Sequence, residues 1–355
     1  MIRTWYGRAS TLLLPRAPVD ASIIICHHKG TALLQRCLAA LAQSIGVTFE
    51  TFVVTSADGP DLNWWQEGIG LRKLWEAGGP AHKRNVGARH ARGRVLVFLD
   101  DDAEVSPYCV SELVSWLDHT PGAGMAYAKI YNAERRQEFD DCGSWLTWTG
   151  FLYARAGDDP RDCGQYDEPC RILASKSATC AIRRDTFFRV GGFDAAYYIL
   201  GEESDLSWRV WLAGQQVWYV PTAVSWHWFN TTKKATADYY TLQRIHSFGA
   251  RNYLRLLTTN LGTLRLVRTL PLHGLIWLLA VLGFCLRGQP ARAAAILAGV
   301  HKYLTTLPQT LAKRRQVQGS RVIRDRDLMD LVLHRPGLRY YLGRMRRYLV
   351  QALHG

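Results

Sequence analysis

Three consecutive carboxylates, Asp100, Asp101 and Asp102, follow directly on the apolar run VLVFL at 95–99. Carboxylates two apart at a strand end can converge on one hard cation, and Mg2+ or Mn2+ takes such oxygen ligands together with substrate phosphates. A bare acidic triplet is also what a solvated loop looks like. Its place after a buried strand argues for a site, because ligands of open α/β sheets sit beyond the carboxyl ends of the strands. A second acidic group, Glu202, Glu203 and Asp205, opens a helix-like stretch. There it either complements the helix dipole, about 0.3–1 kcal/mol per exposed group, or supplies a general base for a substrate hydroxyl. Upstream of the triplet, residues 84–93 read RNVGARHARG. Arg84 can pair with a diphosphate, while Gly87 and Ala88 allow close packing. Residues 221–228 (PTAVSWHW) place His227 between Trp226 and Trp228, which alone reads as packed core.

The elements that would position these groups follow from periodicity. Residues 21–26 (ASIIIC) form a short, fully apolar segment of buried-strand type. Apolar positions 33, 34, 37, 38 and 41 keep the helical period. Strands are expected at 47–54 and 95–99, with a helix over 82–92 between them. This alternation predicts an α/β fold with a mostly parallel sheet flanked by helices. Residues 130–176 are less regular, with a loop at 157–169. Regular structure is expected again at 177–183, a helix over 202–212, and a strand over 216–220 closed by Pro221. Beyond about residue 230 the pattern is helical, with Arg on one side and Leu on the other.

In this order and spacing the motifs resemble those of family 2 glycosyltransferases of the GT-A fold, over about residues 21–229. The matching positions are Ser22 to Ile25 in the first strand; Arg84, Asn85, Gly87, Ala91 and Gly93 in the RN-x-G helix; Asp100 and Asp102 as D-x-D; Gly191 to Asp194 as GGFD; Glu202 to Asp205 in the acidic helix; and Pro221 with His227. The most similar branch is bacterial and acts on rhamnose-type and other cell-surface sugars. The resemblance implies inverting transfer from a nucleoside-diphosphate sugar to a glycan or polyprenyl-linked acceptor. It implies Mg2+ or Mn2+ held by Asp100, Asp102 and His227, and donor contacts from Cys26, Thr55, Asp58, Arg84, Asn85, Asp100 and Asp101. It further implies Glu203 as the base, with Glu202 and Asp205 as the other carboxylates in reach. Trp145, Trp226 and Trp228 are candidates to stack on the acceptor. Two positions depart from the family pattern. Thr55 stands where an acidic residue usually binds the donor's base or ribose, with Asp58 three residues on. Glu203 replaces the usual Asp and reaches one methylene further.

The 355 residues are 48% hydrophobic and 21% charged, too apolar for a chain that stays disordered. Residues 1–229 hold 23 Lys/Arg against 26 Asp/Glu, and residues 230–355 hold 21 against 4, so a slightly acidic front is joined to a back of net charge +17. We therefore expect an N-terminal extension (1–20), a catalytic domain (21–229) and a basic helical region (230–355) that meets an anionic membrane surface. Between Arg268 and Arg287 lie 18 residues without Lys, Arg, Asp or Glu, borderline for a spanning helix and equally suited to lying in the interface. The eight cysteines form no C-x-x-C pair, which points to a reduced protein at the cytoplasmic face of the membrane. A nucleic-acid binder has only the basic tail in its favour, without RNP, zinc or helix-turn-helix patterns, so no nucleic-acid partner is expected. The departures at Thr55 and Glu203 motivate a second reading, a catalytically degenerate sugar or nucleotide binder. A nucleotidyltransferase of the same fold type is the third.

Overall fold

The computed structural model describes residues 19–27, 31–56, 70–157, 159–228 and 239–350. The extension expected over 1–20 (all but its last two residues), Asp58 and the boundary at 229/230 lie outside the described residues. In chain order the first part comprises β1 (Ala21–Cys26), α1 (Ala32–Leu41), β2 (Phe49–Thr55), β3 (Leu71–Trp75), α2 (Pro80–His90), β4 (Val95–Asp100), β5 (Ala103–Val105), α3 (Cys109–His119) and β6 (Ala123–Asn132). Then come β7 (Phe139–Asp141), β8 (Ser144–Thr147), β9 (Leu152–Ala154), β10 (Cys170–Arg171), β11 (Thr179–Arg183), α4 (Arg184–Arg189), α5 (Glu202–Leu212) and β12 (Gln216–His227). The C-terminal part contributes α6 (Tyr239–Asn260), α7 (Thr263–Leu286), α8 (Pro290–Thr305), α9 (Leu307–Gly319), α10 (Asp325–Val332), β13 (Leu333–His334) and α11 (Leu338–Val350).

The main sheet runs β10-β12-β6-β11-β4-β1-β2-β3. β4, β1, β2 and β3 are parallel neighbours, β11 is antiparallel to both β4 and β6, and β12 is again parallel to β6. Both faces of the parallel half are covered, which explains why its strands read as continuous apolar runs. Ile24, Phe52 and Phe98 join one hydrophobic cluster with Val86 of α2 and Leu206 of α5. Ile23, Ile25, Val97 and Leu99 join another with Leu34 and Leu38 of α1 and Leu113 of α3. Leu256 and Leu257 of α6, Val317 of α9 and Leu328 of α10 belong to the first cluster. The basic C-terminal helices therefore share the core of the sheet domain.

Two expectations from periodicity change. The strand expected to close at Pro221 continues to His227. Its register on β6 shifts between Val220 and Val224, and a bulge is where a residue without an N–H can sit in a sheet. Residues 130–176, expected to be less regular, contain the end of the long strand β6 and two strands, β8 and β9, of a small second sheet ordered β13-β8-β9. The eight cysteines are all free thiols.

The approach of α2 to β1 needs a missing side chain. A Cβ at Gly87 would lie 2.5 Å from Ile24 Cγ2 and 3.3 Å from Val54 Cγ2. Gly87→Ala should therefore push α2 outward and destabilise the protein by about 1–3 kcal/mol, read by urea denaturation. An unchanged midpoint would show that the helix yields without cost.

Candidate active site

The acidic triplet lies where β4 ends, in register with Cys26 at the end of β1. Each aspartate turns to a different basic partner. Asp100 Oδ1 accepts from Arg84 Nη2 at 2.7 Å, Asp101 Oδ2 lies 2.6 Å from His27 Nδ1, and Asp102 Oδ1 lies 3.1 Å from His227 Nε2. Asp100, Asp102 and His227 offer ligand atoms within 4.8 Å of one another. Burial holds the Asp100 carboxyl above its usual pKa, with Arg84 opposing that rise and Asp102 adding to it. His227 is anchored from behind, its Nδ1 2.8 Å from Asp140 Oδ2, and Lys176 Nζ meets the other oxygen of Asp140 at 2.5 Å. Burial disfavours the imidazolium, but hydrogen bonds to Asp102 and Asp140 outweigh it and push the His227 pKa up to about 10. Two carboxylates and an imidazole fit Mg2+ or Mn2+. The proton on Nε2 sits where such a cation would replace it.

Arg84 joins this cluster to the second acidic group. Its guanidinium is 4% exposed, and Nη1 donates to Glu202 Oε1 at 3.2 Å while Nη2 holds Asp100. Burial opposes its charge, yet Asp100 in first place holds its pKa above the ordinary arginine value. Glu203 follows Glu202 at the start of α5 and is half-buried. Burial, then the negative charge of Glu202, raises the Glu203 carboxyl well above the usual carboxylate range.

The remaining candidate residues are placed as follows. Asp205 is fully buried and takes Arg209 Nε at 2.8 Å, Asn260 Nδ2 at 3.0 Å and the Tyr197 hydroxyl at 3.4 Å, tying α5 to α6. Asn85 pairs through both ends of its amide with the backbone of Phe193, at 2.8 and 2.9 Å, fixing the GGFD turn on α2. Thr55 is buried at the end of β2. The Cys26 thiol faces Pro80 O at 3.6 Å, and burial pushes it up to about 12. Trp226 stacks on Tyr131, with Arg136 above its ring, and Trp228 Nε1 donates to Glu104 Oε1 at 2.9 Å. Trp145 is not beside the triplet. It lines a groove of about 490 Å³ with Arg171, Trp218 and His334. Trp218 and His227 pair with β6 residues Ala126 and Asn132, six positions or roughly 20 Å apart along the strand.

Sequence reasoning missed His27, Asp140 and Lys176. It also missed Lys83, a buried cation whose Nζ donates to His27 O at 2.9 Å and Ser56 Oγ at 3.1 Å. Lys83 directly precedes the recognised Arg84–Asn85 pair, and at that spacing it was the one detectable signal. The others pair across the fold with no local pattern.

Glycosyl transferase family group 2 matches residues 95–307, and Glycosyl transferase family 2 matches residues 22–156. The chain is 25% identical over 225 residues to N-acetylgalactosaminyltransferase 7 of Rattus norvegicus, covering 56% of this chain and 34% of that protein. It is 28% identical over 261 residues to polypeptide N-acetylgalactosaminyltransferase 11 of Xenopus tropicalis, covering 66% and 42%. The chain thus spans less than half the length of these curated relatives. The crystal structure of S. aureus TarS 1-349 in complex with UDP-GlcNAc superposes with a TM-score of 0.54 at 14% identity, over 85% of this chain and 87% of that one. The fold is GT-A. The chain belongs to the family 2 glycosyltransferases.

The raised Glu203 carboxyl has a consequence for stability. Its folded pKa lies above an unfolded value of roughly 4.3, so its contribution is fully present below pH ~4 and is lost as pH rises. Glu203→Gln does not titrate. The variant should match the wild type near pH 4 and exceed its Tm progressively toward pH 8, by a few degrees at about 2–4 °C per kcal/mol. A Tm difference independent of pH, followed by calorimetry, would contradict the raised pKa.

Proposed function

We infer that the protein is an inverting, divalent-cation-dependent transferase that moves a sugar from a nucleoside-diphosphate donor to a hydroxyl of a glycan or polyprenyl-linked acceptor. Cell-surface polysaccharide synthesis at the cytoplasmic face of the membrane is the setting we assign. The observation that carries the reading is the Arg84 bridge, which sets the Asp100–Asp102–His227 cluster and the Glu202–Glu203 pair side by side. The relatives' names, N-acetylgalactosaminyltransferases, and the UDP-GlcNAc held by TarS make a UDP-linked N-acetylhexosamine the first donor to test.

In this reading Asp102 and His227 hold Mg2+ or Mn2+, with Asp100 kept in place by Arg84. When bound, the cation would neutralise the charge gathering on the departing diphosphate. Asp140 fixes the His227 ring so that Nε2 faces the two aspartates. Glu202 stays paired with Arg84, and burial together with the charge of Glu202 raises the proton affinity of Glu203 above that of an ordinary carboxylate, which strengthens it as a base. The acceptor hydroxyl gives its proton to the Glu203 carboxylate as its oxygen bonds to the anomeric carbon. The bond to the diphosphate breaks on the opposite face, and its electron pair leaves with the diphosphate oxygen. Asp205 acts through the α5–α6 contact as a positioning residue.

The helix Thr263–Leu286 is long and apolar enough to cross a membrane, and no other helix among the described residues is. Together with the +17 charge of residues 230–355, it supports an acceptor presented at a membrane.

Thermal shift with UDP, TDP and GDP, with and without Mn2+, followed by a donor-turnover assay, tests the proposal. One nucleotide should give a Mn2+-dependent shift that Asp102→Ala loses. Glu203→Gln should keep that shift while losing on the order of 10²–10⁴ in turnover. Full turnover in Glu203→Gln would reassign the base. No shift and no donor turnover with any nucleotide would favour the degenerate binder.

A further inference from the structure

Helix α7 has two faces of opposite character. His273, Trp277, Ala280 and Phe284 are buried, a spacing of four, three and four that keeps them on one side of a helix. The Trp277 indole N–H donates to His273 Nε2 at 3.0 Å, so the His273 proton sits on Nδ1, which donates to Thr149 O at 3.0 Å. The ring also stacks on Phe151 at 4.1 Å. Further along, Phe284 packs edge-on against His246 and Tyr348. These contacts fasten α7 to the β8–β9 turn, to α6 and to α11 over most of its apolar length.

The other face carries Leu275, Leu278, Leu279, Leu282 and Leu286, exposed by 49, 51, 50, 50 and 90%. Only 28% of the apolar window is buried. Five leucines in one stripe bounded by exposed Arg268 and Arg287 form the pattern of a helix lying in a membrane interface. Crossing would drag Thr149, Phe151 and the turn that bears them into hydrocarbon, where irregular backbone has no partners. A second copy seated here would bring together two regions of net charge +17, whereas anionic lipid complements that charge.

We propose that α7 lies flat in one leaflet of an anionic bilayer, its leucine stripe in the acyl boundary and its His273–Trp277–Phe284 side fixed to the catalytic body. This rests on the membrane-presented acceptor assigned above and deepens it. The helix is a mooring that holds the catalytic domain beside the lipid surface without itself crossing the bilayer.

The test uses the full chain with preformed vesicles of phosphatidylcholine and phosphatidylglycerol, at moderate salt. The variant Leu278→Asn/Leu279→Asn/Leu282→Asn should partition to vesicles at least tenfold less than the wild type, while keeping its melting temperature in solution. Single variants Arg268→Cys and Arg287→Cys, with Cys163 and Cys285 replaced by Ser, are then treated with a membrane-impermeant maleimide. Both should label from outside, and Leu282→Cys should become protected only when vesicles are present.

If one of the two flanking cysteines labels only after the vesicles are lysed, the helix spans and the proposal fails. Vesicle binding that persists in the triple variant would be charge-driven, overturning the mooring while leaving the membrane-presented acceptor intact. No binding of the wild type would overturn both. Protection of Leu282→Cys without lipid, with a dimer mass by light scattering, would assign the face to a second copy and overturn the proposal.

Discussion

Three adjacent carboxylates at the end of one buried strand cannot be left to repel one another in a poorly solvated edge. The fold answers by bringing a separate basic side chain to each. Arg84 comes from α2, His27 from the chain just beyond β1, and His227 from the far end of β12. Each partner imposes a requirement elsewhere. For Arg84 it is the close seat of α2 on β1, which only Gly87 permits. For His227 it is a long β12, whose bulge around Pro221 lets the strand pass the proline and still end at the triplet. The parallel and antiparallel halves of the sheet meet at this edge because both supply its counter-charges.

The same logic explains what the sequence revealed. The apolar strand and its acidic end, the RN-x-G helix and α5 carry local periodicity that survives without the fold. Asn85 and Asp205 stood out for the same reason, yet their side chains hold a turn and a helix pair together. Motif membership marks a residue that the architecture needs and does not separate chemistry from positioning. Asp140, Lys176 and His27 were illegible because their partners lie 36 to 87 residues away along the chain. Trp145, a candidate to stack on the acceptor, lies in a groove beside Trp218, toward the opposite end of β12 from His227.

The C-terminal helices are more than a charged tail. Arg251 and Asn252 hold the backbone carbonyls of Ala196, Tyr197, Ile199 and Leu200, and Arg255 pairs with Asp194 at 2.6 Å. They brace the turn that leads into helix α5. Arg314 likewise caps the end of α6 through the carbonyls of Thr258 and Leu261. Part of the +17 charge therefore serves internal contacts. A region that composition marks as a membrane element also sets the geometry at the start of α5.

In the proposed mechanism Asp102 and His227 share a divalent cation in place of the proton between them. Anomalous diffraction from crystals grown with Mn2+ and a nucleoside diphosphate tests it most directly. One strong peak is expected within coordination distance of the Asp102 carboxylate and His227 Nε2, with Asp140 still on Nδ1. A peak elsewhere, or His227 still donating to Asp102 beside an ordered nucleotide, would contradict it.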